Sequence, residues 1–423
     1  IRDRYRALAT SGHYIYCGAE RDELKPPTIN GLQVPVVTEY TYLGVVITRG
    51  LDFGAMVKGR CKRAERAMRM ILPCLRAQMV PLALRVSVLR AVVLSTLLYG
   101  SEIWGMDEAR CSEAQTIVNQ ALRAIMGCKR RDMTQPVAAM WRELDVPPVC
   151  ALAAARRARA IHKFPRLKTW IGVLGRYDHE NKKRAWMAQS RTWLKRYCPD
   201  HAVAEVTVSD EATWWEEGLR QEEKEEKTVV SVLDMRWSAY ERTQRWKAAW
   251  TYLDCGFTET AWAALKRIPV RNRWEQVRLG QGLRMVSLCR TGGLWTARKR
   301  AKRGLIARKY LKLCPCCGTK GEEGETIEHL LLECQKWKDE RERCMGDLIK
   351  EITAMGPMEQ GDMVIILLGG VCSGYRVSSW LPSSTATEAI TCGAFQVASF
   401  LKCIRGDRAA ILSQIPHKEL GYD

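Results

Sequence analysis

At 423 residues the chain is long enough to bury a sizeable core, and two or three domains are expected. Its 67 Lys and Arg outnumber 47 Asp and Glu, and a formal net charge of +20 is the balance of a protein that meets a polyanion, nucleic acid first. Seventeen cysteines at scattered spacings without a signal peptide point to a reducing compartment and not a secreted disulfide framework; apolar runs such as 364–368 are too short to span a bilayer, and no lipidation signal favours an acidic membrane.

The chain opens on Ile1, and its first thirty residues, with His13 to Tyr16 and then Pro26-Pro27, read as strand and loop without a natural beginning, as in a fragment or a truncated product. Between 33 and 48, Val34, Val36, Val37, Tyr40, Tyr42, Leu43, Val45, Val46 and Ile47 are β-rich. Gly44 interrupts them as at a bulge or a close backbone approach, so two or three short strands on a sheet edge are expected. From 58 to 78 the period changes: Cys61, Ala64, Met68, Ile71 and Leu75 recur at three and four, the stripe of an amphipathic helix. Its other face carries Arg60, Lys62, Arg63, Arg66 and Arg69. Nine basic residues against Glu65 alone between 58 and 90 suggest a surface that tracks phosphates, whereas a charge run of this kind is ordinarily a solvated face.

Pro81 suits the first turn of a second helix, apolar nearly all round through Val88, Val92, Leu94, Leu97 and Leu98 and so expected to be buried. Asp107 is a candidate N-cap for a third, repeating at Cys111, Ala114, Val118, Ala121 and Ile125 until Gly127. Three such helices with short connections make a bundle. Beyond it, Arg156, Arg157, Arg159, His162, Lys163, Arg166 and Lys168 form a second basic block. Between 210 and 226 eight acids face Arg220 and Lys224, a solvated helix or linker that marks a boundary. Trp246 and Trp250 follow one turn apart, a spacing that suits core packing before base stacking.

The most basic window runs from 290 to 312: Arg290, Arg298, Lys299, Arg300, Lys302, Arg303, Arg308, Lys309 and Lys312, with no acid. Exposed, 298–303 would serve as a nuclear-localisation signal; beside a metal site it would serve as a nucleic-acid surface. It leads into Cys314-Pro-Cys-Cys-Gly318 and then His329 and Cys334, a C-x2-C-x11-H-x4-C pattern. Cys314, Cys317, His329 and Cys334 are the N/S donors that a tetrahedral Zn²⁺ favours, and three sulfurs with one imidazole make a closed structural site, with no open position for hydrolytic chemistry. Pro315 and Gly318 suit a tight turn carrying the first two thiolates. The second pair lies on a short helical stretch that must loosen or end near Cys334, because its members are five apart. Cys316 competes as a ligand from poorer geometry and is read as a spectator. After Cys334 a helix runs to about 350, Gly- and Ser-rich segments follow, and a last helix over 387–405 carries the stripe Ala394, Val397, Ala398 and Leu401.

Tyr40-Thr-Tyr42-Leu43-Gly44-Val45, the basic helix after it, and Leu97-Leu-Tyr-Gly-Ser-Glu-Ile-Trp104 resemble the palm–thumb junction of non-LTR (LINE-type) retrotransposon reverse transcriptases. The Cys/His pattern near the C-terminus is similar to the zinc-binding CCHC knuckle that this family carries downstream of its polymerase. The resemblance covers about 33–150 and 300–340. It implies that Tyr42, Leu43 and Gly44 help seat a primer terminus and that the helices ending at Trp104 are a thumb. It further implies a nucleic-acid-binding part of an RNA-directed DNA polymerase that works by target-primed reverse transcription, its partners being template RNA, primer or target DNA, or both. Such a protein is a ribonucleoprotein component of nucleus and cytoplasm, not secreted and not membrane-bound.

One departure concerns the chemistry. Family polymerases hold Mg²⁺ on palm aspartates, including an adjacent pair, and no Asp-Asp pair occurs in this sequence. That box is expected to precede Ile1 or to be lost, so Mg²⁺ is implied only if a palm precedes, and the chain alone is expected to bind and not to polymerise. The expected class is mainly α with a small β remnant of the palm, divided into a palm remnant (1–57), a thumb-like three-helix bundle (58–150), a basic helical connector (151–209), an acidic linker with a Trp-rich helical region (210–289), the basic segment with the zinc knuckle (290–345) and a helical tail (346–423). Nucleic-acid contacts are expected from Arg60, Lys62, Arg63, Arg66 and Arg69, and from Arg298, Lys299, Arg300, Lys302, Arg303, Arg308 and Lys309. The alternative is a zinc-stabilised RNA- or protein-interaction module derived from such an element.

Overall fold

The computed structural model describes residues 28–29, 31–33, 37–42, 45–48, 53–77, 79–105, 108–127, 137–164, 190, 278–321, 323–354, 356–370 and 383–416. Leu43, Gly44, Asp107, Arg166, Lys168, the acidic run 210–226, Trp246 and Trp250 lie outside them. Helix dominates. Among the described residues, strands are confined to two antiparallel hairpins, β1 (Thr28–Ile29) with β2 (Leu32–Gln33) and β3 (Glu39–Tyr42) with β4 (Val45–Thr48). Within the β-rich stretch β3 and β4 make a two-stranded pair, with Tyr42 opposite Val45, and among the described residues no third strand joins that pair.

The α-helices of the described residues, in order, are α1 (Phe53–Arg76), α2 (Leu82–Val88, continued by a π segment Leu89–Leu94 and by Ser95–Leu97), α3 (Ser101–Trp104), α4 (Glu108–Met126), α5 (Val137–Glu143), α6 (Val149–Lys163), α7 (Gly280–Arg290), α8 (Ala297–Lys302), α9 (Lys338–Ala354), α10 (Gln360–Leu367) and α11 (Ser383–Ser413). The chain forms two compact units, each assembled from segments remote in sequence: 1–70, 89–119 and 147–237 in one, and 71–88, 120–146 and 238–423 in the other.

The first unit is built on small and aliphatic faces. Met56, Val57, Cys61 and Ala64 of α1 are buried, as are Leu97, Leu98 and Trp104, and Cys111, Ala114 and Val118 of α4. α3 lies close on α6: a Cβ on Gly105 would meet Ala153 Cβ at 2.4 Å, so glycine is what permits the approach. Two arginines of α6 donate to carbonyls at the helix breaks, Arg156 to Leu98 O at 2.7 Å, which also accepts from Ser101 N at 3.1 Å, and Arg157 to Gly105 O at 3.1 Å. Arg157 is buried and also donates to Ser190 Oγ at 2.7 Å, so this member of the second basic block serves the interior.

In the second unit α7 packs on α11, and α9 packs on α11 as well. A Cβ on Gly282 would stand 1.8 Å from Ala398 O, so the α7–α11 crossing brings backbone against backbone. The stripe Ala394, Val397, Ala398 and Leu401 is buried in this crossing, within a helix longer than its periodicity predicts. α5 contributes buried Glu143, which accepts from Ser287 Oγ at 3.2 Å and pairs with Arg290 at 3.2 Å; Arg290 Nε also donates to Leu368 O at 2.5 Å. The helix after Pro81 is less uniformly buried than its composition suggests: Leu82 and Val86 lie inside, whereas Leu84 is exposed.

Candidate metal centre and basic surface

The first two cysteines sit in a tight knuckle. Leu313 bridges Lys320, Cys314 N donates to Thr319 O at 3.1 Å, and Gly318 N donates to Cys314 O at 2.9 Å. Gly318 has φ +73°, a conformation that costs a side-chain-bearing residue strain and glycine little. Cys314 and Cys317 therefore emerge from one turn and face the same side.

The second pair depends on a local change of helical pitch. Two residues five apart on an α-helix are well over one turn apart and diverge. Here His329–Glu333 is a π segment, and Cys334 N donates to His329 O at 2.7 Å, the i→i+5 bond of that pitch. The wider turn brings both members to one face. Thr326 Oγ1 accepts from His329 N at 3.1 Å at the start of the segment. At its end Arg341 of α9 donates to the carbonyls of Leu332 and Cys334, the second of which also accepts from Trp337 N at 3.1 Å. Leu330 and Leu331 anchor the segment in the core, with Trp337 buried just after it.

The ligand atoms of Cys314, Cys317, His329 and Cys334 all lie within 4.8 Å of one another, so the cluster can hold a metal ion. Cys317 Sγ is 3.4 Å from His329 Nε2, and His329 Nδ1 is 3.2 Å from Glu333 Oε2. The carboxylate thus turns Nε2 toward the sulfurs, the outer contact that orients metal-bound histidines. Hydrogen bonds from Cys316, Cys334 and His329 hold the Cys314 thiol far below its usual range, and the same contact with Cys314 raises His329 to about 9. A negative sulfur at the centre of these donors is what a divalent cation would neutralise. Cys316 hydrogen-bonds to Cys314 but is not one of the four whose ligand atoms converge.

Behind the knuckle lies a buried ionic lock that periodicity and spacing do not reveal. Arg408 of α11 binds Glu325 through two bonds, Nε to Oε1 at 2.7 Å and Nη2 to Oε2 at 3.1 Å. Glu325 also accepts the backbone N–H of Ala297 at 2.6 Å, and Thr296 caps Lys299 N at 3.2 Å, so the start of α8 is tied to the Cys/His loop and to α11 at once. Burial lowers the proton affinity of Arg408, but Glu325 outweighs it, and the guanidinium is held above its ordinary value. Ala297, Ala301, Ile306, Leu412 and Ile415 form the apolar cluster around this lock.

The expected phosphate contacts divide by environment. Lys62, Arg63, Arg66 and Arg69 are exposed on α1, as expected of a polar face. Arg60 is not: it is 7 % exposed, its guanidinium lies 4.1 Å from the Tyr99 ring centroid, and burial depresses its pKa, so it packs beneath Tyr99 and does not face solvent. In the basic window Arg290 is interior, Arg298 pairs with Glu323 at 2.6 Å, Lys299 donates to Gly292 O, and Arg300 donates to Leu412 O at 3.4 Å. Lys302, Arg303, Arg308, Lys309 and Lys312 are exposed beside the knuckle. The window is therefore half scaffold and half surface, because the same guanidinium that could meet a phosphate can also close an open carbonyl. Tyr42 ends β3.

Comparison of the chain with protein-family models, with curated proteins and with solved structures gives no match.

Proposed function

We propose that this chain is the nucleic-acid-binding C-terminal part of a LINE-type reverse transcriptase, in which Cys314, Cys317, His329 and Cys334 hold a structural Zn²⁺. The observation that carries the reading is the Cys₃His cluster joined, through Glu325 and Arg408, to a helix and turn that expose Lys302, Arg303, Arg308, Lys309 and Lys312. Three sulfurs and one imidazole leave no open position for water, so the metal contributes folding energy and no reaction. A cation binding both the knuckle and the π segment would fix the spacing between them. The exposed cations then keep fixed distances and can follow a phosphate backbone of template RNA or primer DNA, within a ribonucleoprotein of nucleus and cytoplasm. The β3–β4 hairpin is the proposed palm remnant and α1 to α4 the proposed thumb, with Tyr42, Leu43 and Gly44 at the primer terminus; Mg²⁺ chemistry belongs to the palm.

The test is a salt titration by fluorescence anisotropy with labelled duplex and single-stranded probes. Changing Lys302, Arg303, Arg308, Lys309 and Lys312 to glutamine should weaken binding to all sequences alike and flatten the slope of log K against log salt by several units, since each neutralised phosphate releases counterions. An unchanged slope with zinc and helix content retained overturns the nucleic-acid reading and leaves a protein-interaction module.

A further inference from the structure

Apart from the Cys/His cluster, the second unit brings two more thiols together where α9 packs on α11. Cys344 is half-buried on α9, beside buried Met345, and Cys403 is exposed on α11, beside buried Ile404. The two side chains hydrogen-bond to each other, and the exposed guanidinium of Arg343 donates to both sulfurs. Neither cysteine belongs to the four converging donors at the knuckle.

A cysteine that serves only packing is buried in apolar surroundings, as Cys61 and Cys289 are. This pair differs in three respects: solvent reaches it, the sulfurs touch, and a cation is shared between them. The thiolate is the reactive form of cysteine, and a neighbouring guanidinium favours it. A second thiol within reach is what turns a first oxidation into a reversible bond, because it resolves the sulfenic acid before further oxygen is added. The helices that carry the pair also carry the supports of the Cys/His loop. Arg341 of α9 donates to the carbonyls of Leu332 and Cys334, and Arg408 of α11 holds Glu325.

We propose that Cys344 and Cys403 are a reversible oxidation site, at which a hydroperoxide converts the two thiols to a disulfide that staples α9 to α11. One sulfur, as thiolate, attacks a peroxide oxygen; the O–O bond breaks, and the departing hydroxide takes up the thiol proton as water. The second sulfur then attacks the sulfenic sulfur, the S–S bond forms, and the hydroxyl leaves with the second proton as another water. Two thiols lose two electrons in all, and the peroxide gains them. A dithiol reductant reverses the bond by exchange. In a reducing compartment the pair rests as thiols, and the staple is a response to oxidant. The site stands whether or not the chain binds nucleic acid.

The experiment treats the full chain, saturated with zinc, with hydrogen peroxide, alkylates the remaining thiols and digests without reduction. Trypsin cuts after Arg343, Lys350, Lys402 and Arg405, so the staple joins peptide 344–350 to peptide 403–405. The expected result is that linked pair in a monomeric chain, the loss of two alkylatable thiols, and recovery of both with dithiothreitol. Oxidation should also raise the unfolding temperature by roughly 5–10 °C, because the bond closes a long loop. Cys344→Ser and Cys403→Ser should each abolish both the linked pair and the rise. Arg343→Gln should slow the reaction several-fold, since the rate follows the thiolate fraction. Sulfinic acid on either cysteine with no linked pair overturns the proposal. So does a link found only between two chains, or oxidation confined to Cys314, Cys317 and Cys334. A linked pair without a rise in unfolding temperature overturns the stapling of α9 to α11.

Discussion

Cys61 and Cys289 are buried among apolar side chains, and desolvation pushes both up to about 12, so they stay protonated and pack as small hydrophobes. Cys314 shifts the opposite way because Cys316, Cys334 and His329 all hydrogen-bond to its sulfur. Residue type is identical and surroundings decide. At the cluster, Glu333 sets the orientation of His329, and Glu333→Ala should lower metal affinity about 10- to 100-fold while the four ligands stay in place. Chelator competition measures this; equal affinity would show that Glu333 is a bystander. The Glu325–Arg408 pair is almost wholly buried, so removing one partner strands a charge. Glu325→Ala should cost about 3–5 kcal/mol in urea unfolding, more than an exposed pair such as Arg69–Glu65 contributes.

Among the elements, two glycines make opposite predictions from the same substitution. Gly282 meets Ala398 O across the α7–α11 crossing, and Gly282→Ala should force the helices apart and cost roughly 2–3 kcal/mol. Gly406 lies on the exposed side of α11 with nothing within 4 Å of an added Cβ. There Gly→Ala reduces only the freedom of the unfolded chain and should stabilise by about 0.5–1 kcal/mol. Thermal unfolding of the two variants should move in opposite directions; a common sign would mean that the crossing is looser than its geometry. The π segment is the other element whose shape matters, since an α pitch at the same place would carry Cys334 away from His329.

For the molecule as a whole, the knuckle is closed by turn hydrogen bonds and one β-bridge, whereas α7 and α9 both pack along the buried face of α11. Zinc removal should therefore act locally. Amide exchange at 313–334 should accelerate on chelation, with α8 following through Glu325, while the α7–α11 core keeps its protection. Uniform loss of protection would make the metal part of the global fold.

What the sequence determined by itself was local. The three-and-four repeat of Cys111, Ala114, Val118, Ala121 and Ile125 named the buried face of α4, because period alone decides which side of a helix is apolar. The Cys/His spacing named four donors, and the structure brings those four together, because a turn and one widened helical segment suffice to converge them. The fate of the charges was decided only in three dimensions. Arg60, Arg157, Arg290 and Arg298 read in the sequence as surface cations, yet each is held by a ring, a carbonyl, a hydroxyl or a carboxylate, several of these far away along the chain. The Arg408–Glu325 lock, the Gly282 crossing and the Cys344–Cys403 contact join segments with no pattern in common. Charge and composition count a guanidinium the same in water and in a core; only the partner that folding delivers separates the two.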